Sequence, residues 1–461
     1  MKKHTILICF ILLCILSAGC GTSPQPAVLH VAIPYSDKVQ DPDTNYYISY
    51  LEEKTGLSLD ITLIRQELSE EYLDALFASD ADIDIVLFGE DFLLSEEALS
   101  KYERSGDVYA SYMNTGSGIK NGAGQILWIN QEWLSELGLP IPVTTDEFMT
   151  VLKAFSENDL NGNGLPDEIA LAGCCDDPAS YPVEFLLNSF IYNDPYHSRY
   201  GINEDSDKLM AAGDTFRDGL IFCNTLYEEG LLDKRIYICD HHSFCELVNS
   251  PLPLVGAFTT GSISDVIYQA NPEILARYMH VTPLIGPGGE CHALYKDQEP
   301  SIGAVITGRS RKKNEASLLL DTMLSEEASL IARFGEKGVD WDFSDGADVS
   351  IYGSAATIVT HNYIWNTVQN KHLNGIGPMD LPEKYVAGVT WNGINSDAEY
   401  IDGRAQMSYK DYLPSVNNFH EYDPALSEYI NEYIKAFVRG DKDIRSDEEW
   451  NTYLKGLEQY Y

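Results

Sequence analysis

The sharpest chemical pattern in the chain is Asp159-Leu160-Asn161-Gly162-Asn163-Gly164-Leu165-Pro166-Asp167-Glu168. Oxygen side chains stand at positions 1, 3, 5 and 9, a backbone carbonyl is available at position 7, and glycine takes position 6, where the turn is tightest. That is the front of a calcium loop. Hard oxygens at alternating positions can wrap a cation about 2.4 Å away. The pattern predicts Asp159, Asn161, Asn163, Leu165, Asp167 and Glu168 as ligands. Position 12 is Ala170, and Ile169 to Leu171 reads as strand, so a structural calcium is expected, not a sensor with a second moving helix. The competing reading is a metal-free Asn-Gly turn. A second cluster, Cys239-Asp240-His241-His242-Ser243-Phe244-Cys245, lacks the spacing of a zinc knuckle. Its Phe244, Leu247 and Val248 suggest a short amphipathic helix. No phosphate-binding G-x-x-x-x-G-K-[ST], G-x-S-x-G elbow or H-E-x-x-H site occurs, and no catalytic residues are assigned. A glycosidase needs only two carboxylates brought together by the fold, so a secreted carbohydrate-active hydrolase is the rival from another class.

The charge balance narrows the partners. Lys plus Arg number 31 against 71 Asp plus Glu in 461 residues, a net charge of −40, which repels nucleic acid. With 44% apolar residues, 11% of all residues being aromatic, the chain can build a core for each of two or three domains. Lys2 and Lys3, the apolar run Ile6 to Leu16 and the small residues Ser17-Ala18-Gly19 form a signal peptide. Leu16-Ser17-Ala18-Gly19-Cys20 looks like a bacterial lipobox. Residues 1–19 are therefore expected to be removed, Cys20 acylated, for example with palmitate, and 20–27 to serve as a tether. No later stretch offers eighteen apolar residues in a row, so the body is expected to be soluble and held on the extracellular face of the cell membrane by lipid. Cys174, Cys175, Cys223, Cys239, Cys245 and Cys291 remain, as disulfides or free thiols.

Periodicity gives the frame. Val28 to Pro34 and Leu57 to Ile64 read as strands, Ile83 to Phe88 as a buried strand, with helices at 45–55 and 67–78 between them. This βαβαβ rhythm predicts a mostly parallel α/β sheet. It resumes at Ser301 to Thr307, after an intervening block with its own helices and strands. Two lobes interleaved in sequence account for one lobe being left and rejoined. Lobe 1 is expected over 28–126 plus about 282–330, lobe 2 over 127–281 plus about 331–461. A hinge of crossing strands and a cleft between lobes suit the capture of a ligand. The stripe Leu426, Ile430, Ile434, Phe437 and Val438 reads as packing.

Several motifs together resemble a family. They are the lipobox, Leu127-Trp128-Ile129-Asn130-Gln131-Glu132-Trp133-Leu134 with Leu137-Gly138-Leu139-Pro140, Thr144-Thr145-Asp146-Glu147-Phe148 and the calcium loop. Downstream stand Ser325-Glu326-Glu327, Arg333-Phe334-Gly335-Glu336-Lys337-Gly338-Val339-Asp340-Trp341, Phe437-Val438-Arg439-Gly440-Asp441 and Glu449-Trp450-Asn451-Thr452-Tyr453. These resemble the family 1 extracellular solute-binding proteins, in the lipoprotein branch, common in Gram-positive bacteria, that serves carbohydrate ABC importers. The similarity spans nearly the whole mature chain, although Phe92 to Ala123 is shorter than usual there. The resemblance implies a two-lobed periplasmic-binding-protein-like fold of type II, a monomer, no catalysis, an oligosaccharide ligand and ABC permease partners. A peptide-binding or adhesive surface lipoprotein is the further alternative.

A sugar cleft needs aromatic platforms beside amides or carboxylates. Trp391 and Asn392, in the run Trp391-Asn392-Gly393-Ile394-Asn395, are the densest such combination; Asp340, Trp341 and Trp365 follow. Tyr35 after the first strand, and Glu90 and Asp91 after the third, qualify because ligands of α/β sheets bind off the carboxyl ends of strands. Thr259, Thr260 and Ser262 are small hydroxyls where the family often has a cleft aromatic. Trp128 and Trp133 read as lobe packing, and Arg309, Arg311, Lys312 and Lys313 as a solvated basic loop.

Overall fold

The computed structural model describes residues 26–65, 68–89, 94, 96–114, 122–194, 202–203, 208–268, 271–296, 301–362, 368–373, 375–391, 397–412 and 423–460. The chain lays down β1 (Val28–Pro34), β2 (Ser58–Ile64), β3 (Ile85–Leu87) and β4 (Val108–Asn114), then β5 (Gly122–Ala123). It continues with β6 (Ile126–Asn130), β7 (Ile169–Leu171), the short pair β8 (Ile202–Asn203) and β9 (Lys208–Leu209), β10 (Val255–Thr260) and β11 (Tyr278–Val281). It returns through β12 (Tyr295–Lys296) to β13 (Ser301–Thr307), and adds β14 (Trp341–Phe343), β15 (Ile358–Thr360) and β16 (Val389–Trp391). The first sheet has the order β2-β1-β3-β13-β4 and the second β11-β6-β10-β7. A strand from late in the chain thus sits inside the first sheet, and β5 pairs with β12 where the chain passes between the two sheets.

Local chemistry explains the first elements. The β1 and β2 strands pair in parallel along their whole length, Val28 to Ser58 through Pro34 to Ile64, and the intervening helix Tyr46–Thr55 supplies the crossover. Asn45 caps it by accepting from the Tyr47 and Ile48 N–H groups, and Gly56 ends it at φ 69°, a left-handed conformation that glycine adopts without strain. Buried Tyr47, Ile48 and Leu51 turn onto Leu29, Val31 and Ile33 of β1. The predicted helical stripe at the end of the chain also packs: Leu426, Ile430, Ile434, Phe437 and Val438 are all buried in the helix Pro424–Arg439.

Two expectations change. The sheets are mixed, not mostly parallel: β13 runs antiparallel to both β3 and β4, and β6 runs antiparallel to β10 and β11. An apolar run such as Ser301-Ile302-Gly303-Ala304-Val305-Ile306-Thr307 is equally buried in either direction, so its pattern carries no sign of direction. The second concerns residues 331–391. Leu330 and Phe334 of the helix Glu326–Phe334 join Trp341, Ile351, Ile358, Tyr385 and Val389 in one core, while Ala328 and Ile331 of the same helix join the first sheet's core, as do Leu373 and Ile376. This segment therefore packs with the first sheet. The large second core takes in 123–293 and then resumes at Ala398. Among the described residues no helix is long and apolar enough to cross a membrane; residues 1–25, with Cys20, lie outside them.

Candidate functional site

Because β1, β2 and β3 are parallel, their carboxyl ends share one edge of the first sheet. Tyr35 stands there, 51% exposed, with its N–H bonded to the Ile64 carbonyl at 2.8 Å. Arg65, just past β2, lays its guanidinium 5.0 Å from the Tyr35 ring centroid. An exposed aromatic plate with a cation on one face is suited to stacking against an apolar sugar face while donating to its hydroxyls. Glu90 and Asp91 lie outside the described residues.

A polar cluster borders the same edge. The helices Tyr46–Thr55 and Glu326–Phe334 are antiparallel: Lys54, at the end of one, meets Glu327, at the start of the other, at 2.8 Å. Their opposite ends bring Tyr46 together with the turn after Phe334. There Lys371 Nζ lies 2.8 Å from Glu336 Oε2 and 3.7 Å from Asp340 Oδ2. The hydrogen bond to Glu336 holds the Lys371 ammonium above its ordinary range, and burial, then the Glu336 charge, raises the Tyr46 phenol. Asp340 and Trp341 are each only 2% exposed. The Asp340 carboxylate accepts from Glu336 N at 2.8 Å and Asn362 Nδ2 at 3.1 Å. Trp341 Nε1 donates to the Gly335 carbonyl at 2.9 Å, with its ring edge-on to Phe343. Both residues fasten the turn from inside; Lys337 and Val339 are exposed on it, Glu336 is half-buried, and Lys371 and Asn362 reach it from other segments. Trp391 ends β16 opposite Thr360, its side chain outside the described set, as are Trp365 and Asn392. Arg65, Tyr46 and Lys371 were not singled out from sequence. Only Tyr46 had a local signal, its place after the N-cap Asn45.

The second sheet turns a different edge toward the crossing strands. Since β6 is antiparallel to β10, Gln125, just before β6, lies beside Thr259 at the end of β10. Its Nε2 donates to the carbonyls of Pro178, Ala179 and Tyr181 and to Thr259 Oγ1, all at 3.0–3.1 Å. Thr259 and Thr260 are fully buried. Ser262 Oγ donates to Asp402 Oδ2 at 2.5 Å. These hydroxyls are committed within the lobe. Trp128 and Trp133 are buried there too.

The acidic loop joins the helix Thr145–Glu157 to β7, so a strand follows it, as its sequence indicates. Gly162 and Gly164 take φ 73° and 76°, which lets Asp159 accept from the N–H groups of Asn163 at 3.1 Å and Gly164 at 2.8 Å. Asp167 lies between the Asn161 and Asn163 carboxamides at 2.7–3.1 Å. Glu168 folds back onto the N–H groups of Leu160 and Asn161. Asp159, Asn161, Asn163 and Asp167 thus converge, and the donor set is all hard oxygen, which fits calcium. Among the described residues no group of three or more His, Cys, Asp or Glu side chains is placed to hold a metal, so a cation here would draw on amide and carbonyl oxygens as well. The cysteine cluster forms the helix His241–Val248, capped by Asp240, and its thiols are free, like those of Cys174, Cys175, Cys223 and Cys291. Burial pushes the Cys245 thiol up to about 11, so proximity to His241 at 3.7 Å does not make it a nucleophile.

Two α/β bodies interleaved in sequence, joined by crossing strands and carrying ligand-type side chains on a sheet edge, have the fold of the extracellular solute-binding proteins. The chain is 23% identical to the fructooligosaccharide ABC transporter substrate-binding protein FusA of Streptococcus pneumoniae, over 93% of this chain and 86% of that one. It is 27% identical to the lipoprotein LipO of Bacillus subtilis over 56% of this chain and 51% of that one. Among solved structures, FusA as an EF-hand mutant in complex with fructo-nystose superposes with a TM-score of 0.68 at 20% identity, covering 94% and 96% of the two chains. An HMO-binding, ABC-transporter-associated solute-binding protein from Bifidobacterium longum infantis gives 0.69 at 18% identity, covering 94% and 96%. No family model matches the chain.

Proposed function

We propose that this chain is an extracytoplasmic solute-binding lipoprotein that captures an oligosaccharide between its two lobes and delivers it to an ABC importer permease. The observation that carries this reading is the likeness to FusA along nearly the full length of both chains, joined to a fold with two sheets and a crossing between them. In the proposed mechanism each lobe offers a half-site, and a ligand that touches both stabilises the closed form through its differential affinity. Tyr35 is the aromatic plate, and Glu90, Asp91, Trp365, Trp391 and Asn392 complete the contacts; Asp340 and Trp341 act by holding the turn that presents Lys371 and Glu336. Lobe 1 comprises 28–114, 301–391 and the crossing segments' first-lobe ends, and lobe 2 comprises 123–293 and 397–461. Transport energy comes from a separate ATPase, because this chain has no phosphate loop.

Two further parts belong to the proposal. Cys20 is the acylated anchor, so the protein works on the outer face of the membrane. Calcium bound by Asp159, Asn161, Asn163, Asp167 and the Leu165 carbonyl, with Glu168 as an added carboxylate, would supply a structural cross-link between the end of the helix Thr145–Glu157 and β7. A thermal-shift screen over fructo-oligosaccharides, milk-type oligosaccharides, organic acids and peptides tests the function. Oligosaccharides should raise the melting temperature without releasing new reducing ends. A screen answered only by peptides would overturn the carbohydrate reading, and new reducing ends would make the protein a hydrolase.

A further inference from the structure

The helix Asp397–Tyr409 has two faces engaged with different lobes. At 3.6 residues per turn, Asp402, Gln406 and Tyr409 fall on one side and Tyr400, Gly403 and Arg404 on the opposite side. On the first side, Asp402 accepts from Ile263 N at 2.7 Å and Ser262 Oγ at 2.5 Å. Gln406 makes a two-way pair with one residue of the hinge strand: Ala123 N donates to its Oε1 at 2.7 Å, and its Nε2 donates to the Ala123 carbonyl at 3.1 Å. Ala123 is free to do so because its neighbour Gly124 supplies the bond toward the other crossing segment, to the Leu294 carbonyl. Tyr409, fully buried, accepts from Leu127 N at 3.0 Å and donates to the Val281 carbonyl at 2.5 Å. These bonds tie one helix face to the hinge strand, to β6 and β11 and to the loop after β10.

The opposite face meets the segment that packs with the first lobe. The Tyr400 hydroxyl lies 2.5 Å from Thr390 Oγ1. A Cβ on Gly403 would stand 2.4 Å from the Ile351 carbonyl oxygen, and one on Gly353 would stand 2.1 Å from Arg404 Nη1. Here the surfaces touch closely. Ile351 belongs to the core built on Phe334 and Trp341.

We infer that the helix Asp397–Tyr409 travels with the second lobe and that its Tyr400, Gly403 and Arg404 face is the seam that parts when the cleft changes aperture. Gln406 is then a positioning residue that fixes the helix to the hinge strand, while Asp402 fixes it to the loop after β10. The seam sets the population of the capture-competent arrangement, so a change there rescales the affinity for every ligand by one common factor. The purpose of this motion rests on the capture reading, but its test needs no ligand.

Small-angle X-ray scattering on the ligand-free chain, paired with thermal melting, decides it. Gly403→Leu drives a side chain into the Ile351 carbonyl and should change the radius of gyration beyond the spread of replicate wild-type curves. Arg404→Ala, which removes bulk and adds none, should also move it and covers the case in which the leucine variant does not fold. Gln406→Ala should leave the radius of gyration at the wild-type value and lower the melting temperature. The inference is overturned if Gln406→Ala shifts the radius as much as the seam variants, or if Arg404→Ala and a folded Gly403→Leu leave it unchanged. A failed oligosaccharide screen would sink the proposed ligand and leave these outcomes as informative as before.

Discussion

The two sheets treat their edges differently. On the first, Tyr35 is half exposed under Arg65, and Lys371 and Glu336 sit at the surface of a turn that Asp340 and Trp341 hold from inside. On the second, Gln125 spends its amide on four oxygens and Thr259 and Thr260 are buried. Among the described residues, then, the first sheet's edge keeps aromatic and charged side chains at its surface, whereas the second commits its polar edge to its own packing. The second lobe also carries the acidic loop and the helix face bonded to the hinge. On the proposed function the first would be the recognition half and the second the frame half.

The largest effect should come from damaging the frame. Tyr409→Ala empties a fully buried site and strands the Leu127 N–H and the Val281 carbonyl. It should cost about 3–5 kcal/mol, read as a lowered denaturant midpoint; a change below about 1 kcal/mol would mean the helix is peripheral to the second lobe. Next comes the metal. A ligand that binds only the folded state at a hundred times its dissociation constant stabilises by about 2.7 kcal/mol. Chelator should lower the melting temperature of calcium-loaded protein, and Asp159→Ala should abolish the difference. Identical melting curves of metal-stripped protein with chelator and with excess calcium would remove the metal from the frame.

The first lobe has its own signature in acid. Burial, reinforced by the nearby Arg333 charge, drives the fully enclosed His372 down to about 3. Unfolded, it takes a proton near 6.5, so between these values the unfolded chain binds more protons than the folded one. Stability from this site is therefore complete above about pH 6.5 and is lost as the pH falls toward 3, by up to about 1.4 kcal/mol per unit. His372→Gln should flatten that slope in urea titrations at stepped pH. The smallest expected effect is on recognition itself: Tyr35→Ala should weaken oligosaccharide binding by about 1 kcal/mol while leaving the melting temperature nearly unchanged, since half the ring is already in water.

How much of this could be read in advance follows chain distance. The acidic loop lies within ten consecutive residues, so its oxygen spacing and the strand after it were legible. So were β1, the helix that follows it, and the apolar stripe of the helix Pro424–Arg439. The cluster of Tyr46, Glu336 and Lys371 was not, because two antiparallel helices and a distant loop bring it together and no local period records that. Asp340-Trp341 stood out by residue type, yet type does not tell an exposed platform from a ring whose N–H is spent on Gly335. Strand direction was likewise silent at β13, and with it the mixed sheet. The packing of 331–391 was equally silent, because the helix Glu326–Phe334 sends Ala328 and Ile331 to one core and Leu330 and Phe334 to another, a division between faces that its apolar pattern alone does not assign.

Isothermal titration of the purified chain with nystose and with the strongest oligosaccharide from the screen tests the central claim most directly. The account predicts saturable binding to one site per chain, weakened by Tyr35→Ala, with the sugar recovered intact. Absence of binding heat for every oligosaccharide tried, with none of them shifting the melting curve, or recovery of cleaved sugar, would contradict it.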